Sequence, residues 1–336
     1  MNQLPAASRP RALCALPVTM VAVLALSGCM GVQIDHLFEP PLAENTIQSS
    51  GLWADGKVVV VDIGGTINLR EGGLLAGART TPGGVSQVLA HASRDDAVKA
   101  IVLRIDSPGG GVAATDAIHQ QLVRFKAEHA IPVYACIRSV GCSGAYYIAT
   151  AADRIYAHPT AVVGSIGVIA RFPQVQGLAR KIGYDEVILT TGSHKAMGHP
   201  LRELPEDERR MLQAIIDHMF EQFLQAVAAG RPRFDAAQQV RPVADGSVYT
   251  AARAQKLGLV DEIAYLPDVI EAVCRRAGLA RPRIVRYLPG KNPDATVQSR
   301  LPTDVNLLKV ELGKLPARDP GFYYLWWPLT PAGTAP

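Results

Sequence analysis

Two residues, Ser143 and Lys195, have the types and the sequence settings that nucleophilic catalysis needs. Ser143 lies in the stretch GCSGAYY at positions 141–147, and Lys195 lies in a glycine-flanked stretch ahead of a long predicted helix. A serine hydroxyl needs a neighbouring base before it can attack a carbonyl carbon, and a lysine kept neutral in a water-poor place can supply that base without a histidine. The pair is therefore a candidate serine-lysine acyl-transfer site.

A glycine-rich turn upstream could stabilise the negative charge that such a reaction develops. It reads DSPGGG at positions 106–111, after an apolar run and before a helical pattern. Its glycines let the backbone approach a ligand closely with N–H groups facing outward. Taken alone, the turn is also compatible with a plain strand-to-helix connection, and Ser143 with a helix cap. The pentad around Ser143 differs from the nucleophile elbow of α/β-hydrolases at Ala145, where that motif has glycine.

The elements that must position these residues alternate between short apolar runs and amphipathic stretches. The runs at 58–63, 100–105 and 131–137 are almost entirely apolar and rich in β-branched residues, which predicts parallel strands buried on both faces of a sheet. Intervening helical patterns complete βαβ units, so the fold class is α/β. We also predict a strand at 185–190, and a long helix from Pro205 to Gly230 whose first turn is acidic.

The first residues indicate export. Arg9 and Arg11 precede an apolar run from 12 to 26, which at about 15 residues is shorter than the roughly 20 that a spanning helix needs. The following Leu-Ser-Gly-Cys resembles the lipobox of bacterial lipoproteins, so Cys29 is the predicted lipidation site. An ordinary signal peptide and an uncleaved anchor are the alternatives. Each predicts a location in the cell envelope with the main domain outside the cytoplasm.

The same patterns divide the chain into four parts. We predict a lipoprotein-type signal peptide at 1–28, a linker at 29–54, the catalytic domain at 55–280, and a helical or irregular tail at 281–336. The tail contains an aromatic segment, FYYLWWP at 322–328. That segment could pack back onto the body, contact another subunit, or lie at a lipid interface.

Composition excludes several classes of protein. Nearly half of the residues are apolar, which excludes a disordered chain. The formal net charge is only +4, and no basic cluster is interleaved with aromatic residues, so nucleic-acid binding is not expected. Beyond the N-terminal segment only Cys136, Cys142 and Cys274 remain, and this odd number cannot form a disulfide framework. We expect free thiols.

These motifs together resemble the signal peptide peptidase A family of bacterial membrane-associated serine-lysine peptidases. The resemblance covers residues 57–264. It rests on the glycine turn, the Ser-Gly-x-Tyr-Tyr block at 143–147, the block GSIGV at 164–168, the Lys195 stretch with Pro200 and Arg202, and the block GLVDE at 258–262. The chain has Cys142 before the serine and Ala145 after Gly144, where the family has alanine and glycine.

The resemblance implies a ClpP/crotonase-like fold and a role for each site residue. Ser143 would be the acylating nucleophile and Lys195 the general base, with Ser165 orienting the lysine amine. The N–H groups of Gly110 and Gly144 would form the oxyanion hole, and no cofactor or metal would be needed. Members of the family assemble as ring-like or dome-like homo-oligomers, in which serine and lysine meet across neighbouring protomers.

The function that follows is an envelope endopeptidase that cleaves remnant signal peptides and other short apolar peptides. A non-catalytic oligomeric lipoprotein of the same fold is the alternative. Cys142 as nucleophile is disfavoured because it lies one residue off the family position. An α/β-hydrolase esterase is also disfavoured, since the last histidine is His218 and no suitable acid-histidine order follows it.

Overall fold

The computed structural model describes residues 41–51, 53–69, 79–290, 296 and 321–325. The predicted signal peptide, Cys29, and Trp326 and Trp327 of the aromatic segment lie outside the described residues. Within the described ranges, no helix combines the length and the apolar composition that crossing a bilayer requires.

A mostly parallel β-sheet forms the centre of the fold. The strands are β1 Leu42–Ser49, β2 Gly56–Ile67, β3 Arg79–Thr80, β4 Val98–Gly111, β5 Val133–Cys142, β6 Arg154–Ala157, β7 Val162–Gly164, β8 Ile169–Arg171, β9 Val248–Thr250, β10 Glu262–Ile263, β11 Pro282–Pro289 and β12 Gly321–Leu325. The main path of the sheet runs in the order β1, β11, β2, β4, β5, β6, β10, and the strands from β2 through β4 and β5 to β6 are parallel neighbours. The remaining strands attach near the carboxyl ends of β4 and β5 or beside β2.

Helices cover both faces of this sheet, as its continuously apolar strands require. Alternate residues of one strand enter two different cores: Val59 and Val61 pack beneath the helices on one face, and Val58 and Val60 pack beneath α8 on the other. The helices are α1 Pro82–Ser93, α2 Val112–His129, α3 Gly144–Ala149, α4 Gln176–Lys181, α5 Glu206–Gly230, α6 Ala237–Val240, α7 Ala251–Leu257 and α8 Leu266–Ala277. The predicted α/β class with parallel βαβ units is confirmed.

Both ends of the described chain contribute strands to the sheet. β1, in the segment assigned to the linker, pairs antiparallel with β11, in the segment assigned to the tail, and β11 in turn runs parallel to β2. An ionic cluster helps to hold β11 in place, because Asp62 of β2 pairs with Arg104 of β4 and with Arg286 of β11. The sheet therefore extends beyond the 55–280 boundaries.

The strand predicted at 185–190 does not form, so that prediction was wrong. Residues 182–205, between α4 and α5, are turns and irregular chain. A strand needs a partner for its backbone groups, and here Val187 and Leu189 are 83% and 92% exposed. The apolar run that suggested a strand is instead an exposed apolar surface. The long helix α5, in contrast, begins after Pro205 and ends at Gly230, as predicted.

Candidate active site

Ser143 lies at the junction of β5 and α3 in a backbone conformation that non-glycine residues rarely adopt. Its φ is 54° and its ψ is −118°. Its backbone N–H donates to the carbonyl oxygen of Gly164 over 2.7 Å, which ties the junction to the end of β7. The side chain is buried, and its hydroxyl oxygen has no hydrogen-bond partner among the described residues. An uncommitted hydroxyl on a strained turn is the geometry of a nucleophile awaiting a base.

The glycine turn at the end of β4 packs directly against this junction. A β-carbon at position 109 would lie 2.7 Å from the backbone nitrogen of Gly144, and one at Gly144 would lie 2.6 Å from the hydroxyl oxygen of Thr115. At Gly110 an added β-carbon would lie only 1.9 Å from the carbonyl oxygen of Ile67. Only glycine fits at these positions. The structure therefore brings the two predicted oxyanion donors, Gly110 and Gly144, to one place beside Ser143.

Ser107, which the sequence analysis did not single out, fixes the shape of the turn. Its hydroxyl donates to the carbonyl oxygen of Gly65 over 2.6 Å and accepts from the N–H of Gly109 over 3.1 Å. The bond to Gly65 joins β4 to β2. The sequence did contain a signal for this role, namely a serine between an aspartate and a proline in a predicted turn. Serine side chains commonly bond the backbone of their own turn.

Ser165 follows Gly164 directly and shares the unusual backbone of Ser143. Its φ is 49°, its side chain is buried, and its N–H donates to the carbonyl oxygen of Ser247 over 2.7 Å. Because Cys142 and Gly164 are register partners in β5 and β7, Ser165 lies beside Ser143. Among the described residues other than glycine, only Ala130, Ser143 and Ser165 have positive φ. Two of these three strained residues are therefore predicted site residues.

Lys195 lies apart from this group within the single chain. It is exposed in the irregular segment 182–205, where its N–H donates to the carbonyl oxygen of Gly192. Its amine makes no hydrogen bond or ion pair with any residue that the structure describes. The hydroxyl of Ser143 likewise has no such partner. The chain therefore brings Ser143, Ser165, Gly110 and Gly144 together, and it does not join Lys195 to them.

An ion pair holds the Lys195 segment against the first turn of α5. Nη2 of Arg202 lies 2.6 Å from both carboxylate oxygens of Glu208 and donates to the carbonyl oxygen of Ala196 over 3.0 Å. Glu208 is 1% exposed, and Nδ1 of His194 lies 3.6 Å from it. In the sequence, Glu208 was recognised only as an acidic residue suited to the start of a helix. Its buried role was not predicted, because its partners lie in a segment without regular structure.

Comparisons with known proteins show which peptidases this chain is similar to. The sequence profile of peptidase family S49 matches residues 126–280, a range that includes Ser143, Ser165 and Lys195. Residues 126–280 of the chain are thus similar to peptidase family S49, and the family resemblance inferred from the motifs is confirmed. This match and the protease relatives support a serine peptidase.

The relatives of this chain include bacterial proteases. A protein of Enterococcus faecium, provisionally named signal peptide peptidase SppA, is 28% identical over 73% of this chain and 70% of its own length. A provisionally named protease, slr0021 of a Synechocystis strain, is 36% identical over 54% of this chain and 64% of its own length. Protease 4 of Haemophilus influenzae is 32% identical over 64% of this chain and 34% of its own length. The chain thus spans less than two thirds of the last two.

Two solved structures match part of this chain at low sequence identity. A variant of the 1510-N membrane-bound stomatin-specific protease matches 65% of this chain and 85% of its own chain, at 18% identity and a TM-score of 0.41. A variant of ClpP1 from Listeria monocytogenes matches 62% of this chain and 92% of its own, at 20% identity and a TM-score of 0.41.

The thiol of Cys142 is poorly suited to act as a nucleophile in place of Ser143. It is fully buried, and its sulfur lies 3.6 Å from the carbonyl oxygen of Val162. Burial raises the pKa of Cys142 to about 12, so the thiol stays protonated at neutral pH. The thiolate is the reactive form of cysteine. Cys142 therefore acts as an apolar packing residue behind the site.

Proposed function

We propose that this chain is a serine-lysine endopeptidase in which Ser143 forms the acyl-enzyme. The observation that carries the proposal is the buried hydroxyl of Ser143, which has no hydrogen-bond partner among the described residues and is held on a strained turn, with Gly109 packed against the neighbouring Gly144. Structural serines at such a depth normally bond to a neighbour. A reactive serine must keep its hydroxyl available for a base and for the substrate carbonyl.

The reaction proceeds by acyl transfer. Lys195, as a neutral amine, takes the proton of the Ser143 hydroxyl while the oxygen bonds to the scissile carbonyl carbon. The N–H groups of Gly110 and Gly144 stabilise the oxyanion that develops, and such donors contribute a few kcal/mol. The protonated lysine then gives its proton to the leaving amine. Water releases the peptide acid by the same steps, with Ser165 orienting the lysine amine throughout.

The base reaches the serine through assembly of several copies of the chain. Two features support a homo-oligomer with a shared site: Lys195 is exposed and uncommitted within its own chain, and its segment also exposes apolar side chains at Val187 and Leu189. Exposed apolar surfaces of this kind are typical of protein interfaces. In a ring-like assembly, contact through this segment would carry Lys195 into a site where water is excluded.

We infer that the substrates are short apolar peptides, remnant signal peptides among them, and that the enzyme acts in the cell envelope. The export pattern at 1–28 and the lipobox at Cys29 support an anchored protein on the periplasmic side. The name of the Enterococcus faecium relative supports the substrate class. We expect mass spectrometry of the membrane-extracted protein to show lipid on Cys29. An unmodified mature N-terminus would rule out the proposed lipid anchor.

The mechanism is tested by labelling and hydrolysis together. We expect a fluorophosphonate probe to modify Ser143 in the purified full chain. Ser143→Ala and Lys195→Ala should each lower peptide hydrolysis by about 10³-fold or more. Lys195→Arg should also fail, because a guanidinium group does not give up its proton at working pH. Cys142→Ala and Lys256→Ala, a change at an exposed lysine elsewhere, should keep activity.

The opposite results separate the alternatives. Full activity in Lys195→Ala would show that this lysine is not the general base. A chain that resists the probe at Ser143 and hydrolyses no peptide would support the non-catalytic lipoprotein instead.

A further inference from the structure

A cavity opens where β6 ends beside β5, on the face of the sheet that α8 covers. It encloses about 280 Å³ and is lined by Cys136, Arg138, His158, Tyr265, Leu266 and Pro267. Cys136 and Leu266 belong to the core beneath α8. Ala145, two residues after Ser143, belongs to the core on the opposite face of the sheet. The cavity is therefore separate from the candidate active site.

Pairing between β5 and β6 brings two basic side chains to this cavity. Ile137 of β5 and Ala157 of β6 are register partners, so the residues that follow them, Arg138 and His158, are neighbours. The N–H of His158 donates to the carbonyl oxygen of Ile137 over 2.8 Å, which continues the pairing beyond the end of β6. Both basic side chains are half-buried. The cavity wall therefore carries a permanent positive charge beside an imidazole.

The guanidinium group of Arg138 is not used by its own chain. It makes no hydrogen bond or ion pair with any residue that the structure describes. Arg202 and Arg231, two other arginines with restricted exposure, each pair with a carboxylate. A charged group held partly out of water is stabilised by an acceptor of opposite charge. Arg138 therefore presents an unused planar set of N–H donors, which matches a carboxylate in geometry.

His158 offers a second hydrogen-bond donor. Its Nδ1 accepts from the N–H of Thr160 over 3.2 Å, so Nε2 carries the proton of the neutral ring. The ring packs edge-on against Tyr265, with centroids 4.9 Å apart and planes 88° apart. None of the six lining residues is acidic, and the carboxylate of Asp268 in the first turn of α8 accepts from the N–H of Tyr265 over 3.2 Å. The polar groups of the cavity therefore suit an anion.

The rest of the lining is apolar. Cys136 is 1% exposed, and burial raises the pKa of its thiol to about 12, so it stays uncharged at neutral pH. Leu266 and Pro267 begin α8, and the ring of Tyr265, which is 55% exposed, stands beside them. The volume lies just below the roughly 300–1,000 Å³ of pockets that hold drug-sized ligands. It suits an acid about the size of one acylated amino acid.

We propose that this cavity binds a small apolar carboxylate. The carboxylate lies on the guanidinium group of Arg138 and on Nε2 of His158, and the apolar body packs against Tyr265, Leu266 and Pro267. The site goes beyond the peptidase function, because none of its residues takes part in the proposed acyl transfer. Cleavage of apolar peptides releases acids of this class, so cleaved peptides would be ligands of the site. That last connection alone rests on the proposed function.

Calorimetric titration of the purified full chain with N-acetyl-leucine tests the proposal without depending on catalysis. Arg138→Gln removes the charge and the planar set of donors, and it should weaken binding at least about tenfold. The matched control is Arg154→Gln, at the exposed start of β6, which should change binding by less than about twofold. N-acetyl-leucinamide has the same body without the charge and should bind at least about tenfold more weakly than the acid. Inorganic phosphate, which cannot use the apolar walls, should also bind more weakly.

Two further measurements cover the case in which Arg138→Gln fails to fold. Tyr265 is more than half exposed, so Tyr265→Ala should fold, and it should weaken binding of N-acetyl-leucine by about threefold or more. Photolabelling of the wild-type chain with N-acetyl-photoleucine, the diazirine analogue of the same acid, locates the site directly. Mass spectrometry should find the label within residues 136–138, at His158 or within residues 265–267.

The results distinguish failure of this inference from failure of the proposed function. Equal binding by the Arg138 and Arg154 variants, equal binding of the acid and the amide, or no binding of the acid would overturn the inference. Phosphate that binds as tightly as the acid, or a photolabel elsewhere on the chain, would overturn it too. A chain that binds the acid through Arg138 and hydrolyses no peptide would overturn the peptidase function alone.

Discussion

Ser143 has a backbone conformation that costs free energy, and favourable contacts in the surrounding structure must offset that cost. A non-glycine residue in such a region costs on the order of 1–3 kcal/mol. The hydrogen bond from its N–H to Gly164 and the packing of Gly144 against Thr115 hold the turn in place. Ser165, one residue beyond Gly164, carries the same kind of strain. Both strained serines thus lie where β5 meets β7, and the N–H of Ser165 is also held by the carbonyl oxygen of Ser247.

A buried histidine behind α3 makes the stability of the fold depend on pH. His119 packs edge-on against Tyr147, whose hydroxyl donates to Asp116. Burial, the largest effect, lowers the pKa of His119 from 6.5 to about 4; Asp116 opposes that shift and Lys126 adds to it. The unfolded chain therefore binds this proton more readily than the folded one. The stabilisation is complete above pH 6.5 and is lost as the pH falls toward 4.

We predict that the free energy of unfolding falls by about 2–3 kcal/mol through this group between pH 6.5 and 4. His119→Phe keeps a ring at the position and removes the titration, so it should flatten the dependence in that range. His218→Gln, at an exposed position of α5, is the control and should keep the wild-type slope. Urea titrations at several pH values measure the free energy of unfolding. If this free energy depends on pH in the same way in His119→Phe and in the wild type, the prediction is contradicted.

At the scale of elements, the joint between α5 and the segment 182–205 sets the position of Lys195. Arg202 bonds at once to the carboxylate of Glu208 and to the carbonyl oxygen of Ala196, next to the lysine. Truncating one partner of a buried charged pair leaves the other unsatisfied, which costs about 1–3 kcal/mol or more. The lysine segment should then lose its fixed position before the sheet is affected.

We predict that Glu208→Gln lowers kcat by about tenfold with little change in KM, because the proposed base Lys195 is displaced while Ser143 and the glycine turn stay in place. Glu206→Gln is the matched control, since its exposed pair with Arg209 contributes little. Limited proteolysis within 182–205 should speed up in Glu208→Gln only. Equal kinetics and equal proteolysis in the two variants would show that this ion pair does not position Lys195.

The elements that were predictable are those whose signal is local. The continuous apolar runs predicted β2, β4 and β5, and the acidic first turn after Pro205 predicted α5. The partners of β1, β11 and β12 were not predictable, because each pairs with chain far away in sequence. For the same reason the sequence indicated Ser143 and the glycine turn through motifs but gave no sign that β12 pairs with that turn.

At the scale of the whole molecule, the groups proposed for catalysis do not all meet within one chain. The proposed nucleophile Ser143 and the proposed oxyanion donors lie inside the fold, whereas Lys195 lies on the exposed segment 182–205, which also presents Ile182, Val187 and Leu189 to solvent. Burying such side chains between subunits would stabilise an assembly by roughly 25 cal/mol per Å² of apolar surface. The same contact would exclude water from the lysine amine.

We therefore predict that assembly and activity are lost together. Leu189→Glu places a charge in the apolar surface and should lower both the mass of the particle, measured by light scattering, and the hydrolysis rate per chain. Val123→Glu, at a partly exposed position of α2, is the control and should leave both unchanged. Activity per chain should also rise with protein concentration in the Leu189 variant, since mass action restores the contact. If a dissociated Leu189→Glu chain hydrolyses peptides at the wild-type rate, each chain must supply its own base. In that case the segment 182–205 would have to move within one subunit to bring Lys195 to Ser143.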